Sequence, residues 1–149
     1  MHVLDRIEGG PKPAIVHDLG ATYHSGDVAA LGLAPDIVIE CTGYGPLAFE
    51  LTSVVAKDAV VCLAGISGGS REVPTSLNVI NKQMVLENMV LFGSVNAARR
   101  HYEQAAAALA KADPAWLARL VSRKVPLTTF ADALARNDDD VKVAIDLRH

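Results

Sequence analysis

Two kinds of apolar pattern alternate along most of the chain. Short runs rich in branched residues predict strands over residues 3–5, 21–24, 36–42, 59–66, 89–93 and 141–145. Apolar residues at three- and four-residue spacing predict helices over 13–19, from 46 onward, over 97–112, over 113–121 and from 129 onward. Strands that alternate with helices through short loops form right-handed crossovers, so the pattern predicts an α/β fold with a parallel sheet.

Particular residues mark several helix ends. Gly20 is placed to stop the first helix, and Asp113 is placed to cap a later helix that has Pro114 at its first helical position. Thr129 and Asp132 have the spacing of a capping box, with Asp in place of Glu. These signals predict three helix boundaries more sharply than the apolar spacing does.

Composition narrows the class of protein. The 149 residues include 14 basic and 17 acidic side chains, and 50% are hydrophobic, which excludes a disordered tail and a basic nucleic-acid binder. The longest apolar run, over residues 59–66, is far shorter than the ~20 residues of a membrane span. Asp5 and Glu8 stand where a signal peptide would be basic and then apolar. We expect a cytoplasmic protein that contacts neither membrane nor nucleic acid.

The residues that carry most enzyme chemistry are scattered. Cys41 and Cys62 lie inside predicted strands and are expected to be buried and reduced, and no histidine has Cys, Asp or Glu at ligand spacing. No Ser-His-Asp set, paired carboxylates or activated thiol is indicated. We therefore expect no metal site and no catalytic residue in this chain, and a binding role instead.

Ligands of parallel α/β sheets lie at the carboxyl ends of the strands. The residues that follow the predicted strands are therefore the candidate binding residues: Asp5, Arg6, Thr42, Gly43, Ile66, Ser67, Ser94, Val95 and Asn96. Asp5 is suited to accept hydrogen bonds from both hydroxyls of a ribose, and Arg6 to pair with a 2′-phosphate. The alternative is a solvated pair between Asp5 and Arg6.

Three further features allow two interpretations each. Residues 43–48 match the dinucleotide fingerprint G-x-G-x-x-G/A, but no acid follows the next strand, so a glycine turn at a close approach is the alternative. Asn96 is suited to orient a carboxamide or a sugar hydroxyl, or else to cap the next helix. Lys142, in an otherwise apolar strand, is most simply a solvated lysine.

Segments 36–43, 88–97 and 139–147 resemble the C-terminal half of glucose 1-dehydrogenase, in the zinc-dependent medium-chain alcohol dehydrogenase superfamily. The resemblance covers nearly the whole chain. It implies a partial Rossmann-type, doubly wound parallel sheet that lacks its first strand, with residues 125–149 as a C-terminal helix–strand extension. It also implies oxidation of an aldose at C1 to a lactone, with hydride transfer to NAD(P).

The resemblance assigns roles by position. Asp5 and Arg6 would face the adenosine ribose, and Ile66 and Ser67 would lie along the cofactor. Ser94 and Val95 would reach the nicotinamide, Asn96 would touch nicotinamide and sugar, and Lys142 would contact the cofactor. Thr42 and Gly43 are cofactor-binding candidates by their position after a strand. A carboxylate at position 5 would repel a 2′-phosphate, which favours NAD or dual use.

The family places its zinc ligands, the first strand and a glycine-rich loop before the region that this chain resembles. The resemblance therefore implies zinc in the full-length family without ligands here, and a chain that is inactive alone. The missing strand would divide the sheet and leave open edges. The alternative functions are a non-catalytic module that completes a separately encoded N-terminal half or forms a homo-oligomer, and an independent nucleotide-binding protein that uses residues 43–48.

Overall fold

A computed structural model of the chain describes residues 1–68, 72, 74–135 and 137–148. The strands are β1 (His2–Leu4), β2 (Thr22–His24), β3 (Ile37–Glu40), β4 (Val60–Leu63), β5 (Val90–Gly93), β6 (Val121–Pro126) and β7 (Lys142–Asp146). The helices are α1 (Lys12–Asp18), α2 (Gly45–Glu50), α3 (Leu77–Leu86), α4 (Arg99–Lys111), α5 (Pro114–Leu120) and α6 (Phe130–Leu134). Single 3-10 turns cover Ala29–Leu31, Leu51–Ser53 and Leu127–Thr129.

Every strand pairing among the described residues is parallel, and the α/β fold predicted from the sequence is confirmed. The pairings form three small sheets, with strand orders β1-β2, β3-β4-β5 and β6-β7. The chain forms two compact units: one comprises Met1–Gly26 and Ala98–His149, and the other comprises Asp27–Ala97. No helix in the described part of the chain has the length and apolar character needed to cross a membrane.

The unit Asp27–Ala97 is built on the sheet β3-β4-β5 and buries one face of it. Val61, in the central strand, is fully buried, as is Ala59 just before that strand. Ala48 of α2 and Leu51 of the following 3-10 turn belong to the same buried set. These four apolar residues form most of the core of this unit.

The opposite face of this sheet is apolar and open to solvent. The strand register aligns six side chains on it: Ile37, Val60 and Val90 in one row, and Ile39, Cys62 and Phe92 in the next. The exposed fraction is 71% for Ile37, 65% for Ile39 and 45% for Phe92. We call these six residues the open sheet face. A contiguous apolar surface of this kind is typical of a surface that another polypeptide covers.

Strand β3 also forms one edge of the sheet. The Glu40 carbonyl accepts a hydrogen bond from the Ala64 N–H at 2.8 Å. Alternate residues of a parallel strand direct their backbone groups to the same neighbour, so the backbone groups of Ile37 and Ile39 point away from β4. The open sheet face therefore adjoins a strand edge that has no partner strand among the described residues.

The other unit contains the sheets β1-β2 and β6-β7. Its buried apolar residues include Ile15 of α1, Ala21 before β2 and Val125 of β6. The Trp116 indole N–H of α5 donates to the Ile15 carbonyl at 3.0 Å and joins α5 to α1. All residues of α4 are exposed, including the predicted apolar stripe that contains Tyr102 and Leu109.

The structure corrects several boundaries. Val121 begins strand β6 and does not continue the helix that starts after Asp113, and α3 was not predicted at all. Gly20 and the Asp113 cap are confirmed: Gly20 has φ +70°, and the Asp113 side chain accepts from the Ala115 N–H at 2.8 Å. The capping box at Thr129 is wrong, because its side chain makes no cap hydrogen bond and its backbone is not extended.

The loops that follow β3 and β4 come into backbone contact. A Cβ atom on Gly65 would lie 2.1 Å from the Gly43 nitrogen, and a Cβ atom on Gly43 would lie 2.3 Å from the Ile66 carbonyl oxygen. Gly43 also has φ +67°, a conformation that favours glycine. Only glycine fits at either position, so this contact fixes the distance between the two strand ends. We call these residues the glycine contact.

We expect Gly65→Ala to lower the free energy of unfolding by about 1–3 kcal/mol, because the added methyl group forces two backbone segments apart. Gly68→Ala is the control, since no atom of the described residues lies within 4 Å of its Cβ position. Urea unfolding followed by circular dichroism measures both effects. Equal stability of the two variants would show that the contact at Gly43 is looser than described.

Candidate cofactor-binding site

In the unit Asp27–Ala97 the predicted binding residues follow three adjacent parallel strands. Thr42 and Gly43 follow β3, Ile66 and Ser67 follow β4, and Ser94, Val95 and Asn96 follow β5. The carboxyl ends of parallel strands meet at one edge of a sheet. The ends of β4 and β5 are joined there by a hydrogen bond from the Ser94 N–H to the Leu63 carbonyl at 2.9 Å. These seven residues therefore lie along one edge of this sheet, as predicted.

The turn after β3 is held by the Glu40 carboxylate, whose residue is only 3% exposed. Its Oε1 atom accepts from the Thr42 N–H at 2.6 Å, from the Thr42 hydroxyl at 2.5 Å and from the Gly43 N–H at 2.9 Å. Glu40 thus closes the turn that brings Gly43 against Ile66. One feature of the sequence indicates this role: Glu40 is the single charged residue of the otherwise apolar strand β3.

The glycine contact leaves little side-chain volume at the ends of β3 and β4. Ile66 and Ser67 are exposed beside it, and a Cβ atom on Gly45 would lie 3.6 Å from the Ser67 hydroxyl oxygen. The two glycines of this contact thus allow the loops after β3 and β4 to pack backbone against backbone, while Ile66 and Ser67 remain exposed beside them. The fingerprint at 43–48 does follow a strand and open a helix, and that helix, α2, is six residues long.

Beyond β5 the chain turns at Asn96, which has φ +64° and an exposed side chain. The helix α4 is capped at Ala98, whose N–H donates to the His101 ring at 3.1 Å. The alternative role of Asn96 as a helix cap is therefore wrong. Its side chain contributes an exposed amide at the strand edge.

In the other unit, Asp5 follows β1 and is half-buried. Its Oδ2 atom accepts from the Lys12 ammonium at 2.8 Å, and its Oδ1 atom accepts from the Ile7 N–H at 3.2 Å. Burial by itself would raise the pKa of Asp5, but the hydrogen bond and the charge of Lys12, together with the Ile7 N–H, outweigh it and lower the pKa below its ordinary value. The Asp5 carboxylate is therefore ionised at neutral pH.

Arg6 and Lys142 lie in the same unit as Asp5. Arg6 pairs with Asp138 at 3.2 Å, and both side chains are about two-thirds exposed. Asp5 therefore pairs with Lys12, and the solvated pair between Asp5 and Arg6 is not formed. Lys142 is the exposed first residue of β7.

Sequence reasoning missed Lys12. It lies seven residues from Asp5, across a turn of Gly and Pro, and no helix or strand spacing joins the two positions. Only the folded path of the chain between β1 and α1 brings its ammonium to the carboxylate. The Tyr23 hydroxyl supports that path by donating to the Ile7 carbonyl at 2.5 Å.

A zinc site does not fit the residues that the structure describes. Within those ranges, no three His, Cys, Asp or Glu side chains gather in a metal-binding group. A catalytic zinc needs about three protein ligands. We therefore derive no chemical step of this chain from zinc.

Comparison with known proteins identifies relatives. A profile described as "Glucose dehydrogenase C-terminus" matches residues 1–147. Glucose 1-dehydrogenase of Halobacterium salinarum is 35% identical in an alignment of length 149 that covers 94% of this chain and 41% of the relative. The chain thus spans about two-fifths of the length of that relative.

Solved structures agree with the sequence match. Haloferax mediterranei glucose dehydrogenase, in complex with NADP, Zn and gluconolactone, matches with a TM-score of 0.88 and 28% identity, over 99% of this chain and 43% of that chain. 2R,3R-butanediol dehydrogenase from Bacillus subtilis shares the fold alone, with a TM-score of 0.70 and 15% identity over 99% of this chain and 43% of that one. Because the profile extends over nearly every residue, the chain belongs to the glucose dehydrogenase C-terminus family.

Proposed function

We propose that this chain is the cofactor-binding part of an NAD(P)-dependent glucose 1-dehydrogenase, an enzyme that oxidises an aldose at C1 to a lactone. The common position of the strand-end residues of β3, β4 and β5 carries the proposal, because parallel α/β sheets bind nucleotides at the carboxyl ends of their strands. Family membership supports it, as does the NADP in the complex of the Haloferax mediterranei relative.

The adenosine end of the cofactor is assigned to the unit that contains Asp5. The Asp5 carboxylate accepts hydrogen bonds from the ribose hydroxyls, and the Arg6 guanidinium pairs with a 2′-phosphate when one is present. Lys142 contacts the cofactor as well. Arg6 is available for this role because its pair with Asp138 is exposed, and exposed ion pairs hold their partners weakly.

The remaining cofactor is assigned to the strand-end residues of the unit Asp27–Ala97. Thr42, Gly43, Ile66 and Ser67 lie along the dinucleotide, Ser94 and Val95 reach the nicotinamide, and Asn96 contacts both the nicotinamide and the sugar. Bound NAD(P)⁺ supplies the acceptor for a hydride. The residues of this chain bind the nicotinamide ring and orient it.

We expect Asn96→Gly to weaken NADP⁺ binding about fivefold, the value of roughly one hydrogen bond, and to leave binding of 2′,5′-ADP unchanged. Glycine keeps the positive φ of the native turn, so the variant removes only the amide. Asn88→Gly is the matched control, because Asn88 also has positive φ but its amide donates to Asp58. Isothermal titration calorimetry measures each affinity.

Two results would contradict this assignment. One is a native chain that binds no NADP⁺ at millimolar concentration, which removes the proposed function itself. The other is an equal loss of NADP⁺ affinity in Asn96→Gly and Asn88→Gly, which removes the role of the Asn96 amide.

We further propose that the 149-residue polypeptide binds nucleotide without oxidising glucose. Its match covers 41% of the Halobacterium salinarum relative, so most of that relative has no counterpart in these residues. We expect no glucose-dependent formation of NADPH above background when the chain is supplied with NADP⁺ and Zn²⁺. The full-length relative is the positive control. Turnover by the chain that a zinc chelator abolishes would contradict the proposal.

The open sheet face and the edge of β3 favour a second candidate function. It is a non-catalytic module that completes a separately encoded dehydrogenase half or, without one, associates with a second copy of itself. Burial of Ile37, Ile39 and Phe92 against either partner removes apolar surface from water, at about 25 cal/mol per Å². A strand added beside β3 would also satisfy its outer backbone groups.

We expect the purified chain to self-associate at micromolar concentration, and Ile39→Lys to shift it toward monomer, because a charge on the open sheet face opposes burial. Leu147→Lys is the control, since Leu147 is 73% exposed and lies beyond β7. Size-exclusion chromatography with light scattering gives the masses. A native chain that stays monomeric and does not bind the N-terminal half of a relative would contradict the second function.

A further inference from the structure

The residue that pairs with Asp5 is one that the sequence did not single out. The expectation of NAD or dual use rests on an isolated carboxylate at position 5. The structure places the Lys12 ammonium 2.8 Å from that carboxylate. The charge presented at the end of β1 therefore belongs to a pair and not to Asp5 alone.

The Asp5–Lys12 pair is more rigid than an ordinary surface pair. The two side chains are 29% and 25% exposed, and the Ile7 N–H holds the second carboxylate oxygen. The Tyr23 hydroxyl in turn holds the Ile7 carbonyl. Partial burial weakens screening by salt, so the charge of Lys12 acts on Asp5 and on any ligand beside it.

Lys12 has donors left for a ligand. An ammonium carries three N–H groups, and Asp5 takes one of them. The Lys12 side chain also lines a cavity of about 240 Å³ in the same unit, beside Ile7 and Val143. A ligand at Asp5 thus has access to a second, cationic group.

The other charges near this strand end do not replace Lys12. Arg6 is available to a 2′-phosphate, but Asp138 lies beside it and also lines the cavity, so the two residues together add no net positive charge. Asp140 lines the cavity too, and it pairs with Arg123 at 2.6 Å. Asp139 adds a further negative charge, since its carboxylate lies 2.8 Å from the Cβ position of Gly10. Without Lys12 the local charge would be more negative, and a 2′-phosphate would be repelled more strongly.

We propose that Lys12 is the specificity-determining residue for the 2′ position of the nucleotide: its pairing with Asp5 lets the same strand end hold a ribose hydroxyl or accept a 2′-phosphate. The proposal rests on the function proposed above. Lys12 acts on the choice between NADP and NAD, and the roles of the other site residues stay as proposed above.

The test compares 2′,5′-ADP with 5′-ADP as probes, in calorimetric titrations of the full chain. We expect Lys12→Met to weaken binding of 2′,5′-ADP about tenfold and to change the affinity for 5′-ADP less than about twofold. Lys12→Arg keeps the charge and should retain both affinities within about threefold. Lys57→Met is the control, because it removes a lysine that pairs with Glu87 in the other unit.

The double variant Asp5→Asn/Lys12→Met separates a charge effect from a structural one. Removing both charges should restore binding of 2′,5′-ADP to within about threefold of the native chain. Equal losses of affinity for both probes in Lys12→Met, or no loss for either, would overturn the role of Lys12. The proposed function would stand in that case, provided that the native chain binds the probes. A native chain that binds neither probe would overturn both.

Discussion

The backbone contact between Gly43 and the segment at Gly65 and Ile66 is the constraint on which the site depends. It sets how closely the ends of β3 and β4 approach, and no residue with a Cβ atom fits at either glycine. The buried Glu40 carboxylate holds the turn by accepting from two N–H groups and a hydroxyl. The spacing of these two strand ends is therefore set by main-chain packing, and the exposed residues Thr42, Ile66 and Ser67 lie beside it.

Coverage of the sheets is the second constraint. The unit Asp27–Ala97 buries Val61 and Ala59 on one side of its sheet, while Ile37 and Ile39 remain exposed on the other. Half of the residues are hydrophobic, yet part of that apolar surface has no covering element among the described residues. This arrangement agrees with a chain that matches about two-fifths of each relative. The proposed cofactor binding and the proposed association with further polypeptide therefore involve different parts of the sheet β3-β4-β5, namely its carboxyl ends and its open face.

Strands made mainly of apolar residues could be predicted from the sequence. Strand β6, in which a charged side chain faces inward, was not predicted. A strand overlaps each of the six predicted ranges, most of which consist mainly of apolar residues, although residues 21–24 include Thr22 and His24. The apolar pattern of β6 is interrupted at an inward position by Arg123. This side chain pairs with Asp140 and donates to the Asp132 and Ala135 carbonyls. α3 was not predicted, although Leu77, Ile80 and Met84 have helical spacing, and none of its described residues is buried. The strand-end positions followed from topology, whereas the contact of Lys12 with Asp5 depends on the path of a turn.

Mapping the bound nucleotide on the chain tests the central claim most directly. In ¹H–¹⁵N correlation spectra recorded during titration with NADP⁺, the account predicts that amide shifts change at Asp5 and Arg6, at Thr42 and Gly43, and from Ser94 to Asn96. Amides of the exposed helix α4 should stay unchanged. Shifts confined to α4, or no shifts at millimolar NADP⁺, would contradict the claim that the strand ends of this chain form a dinucleotide site.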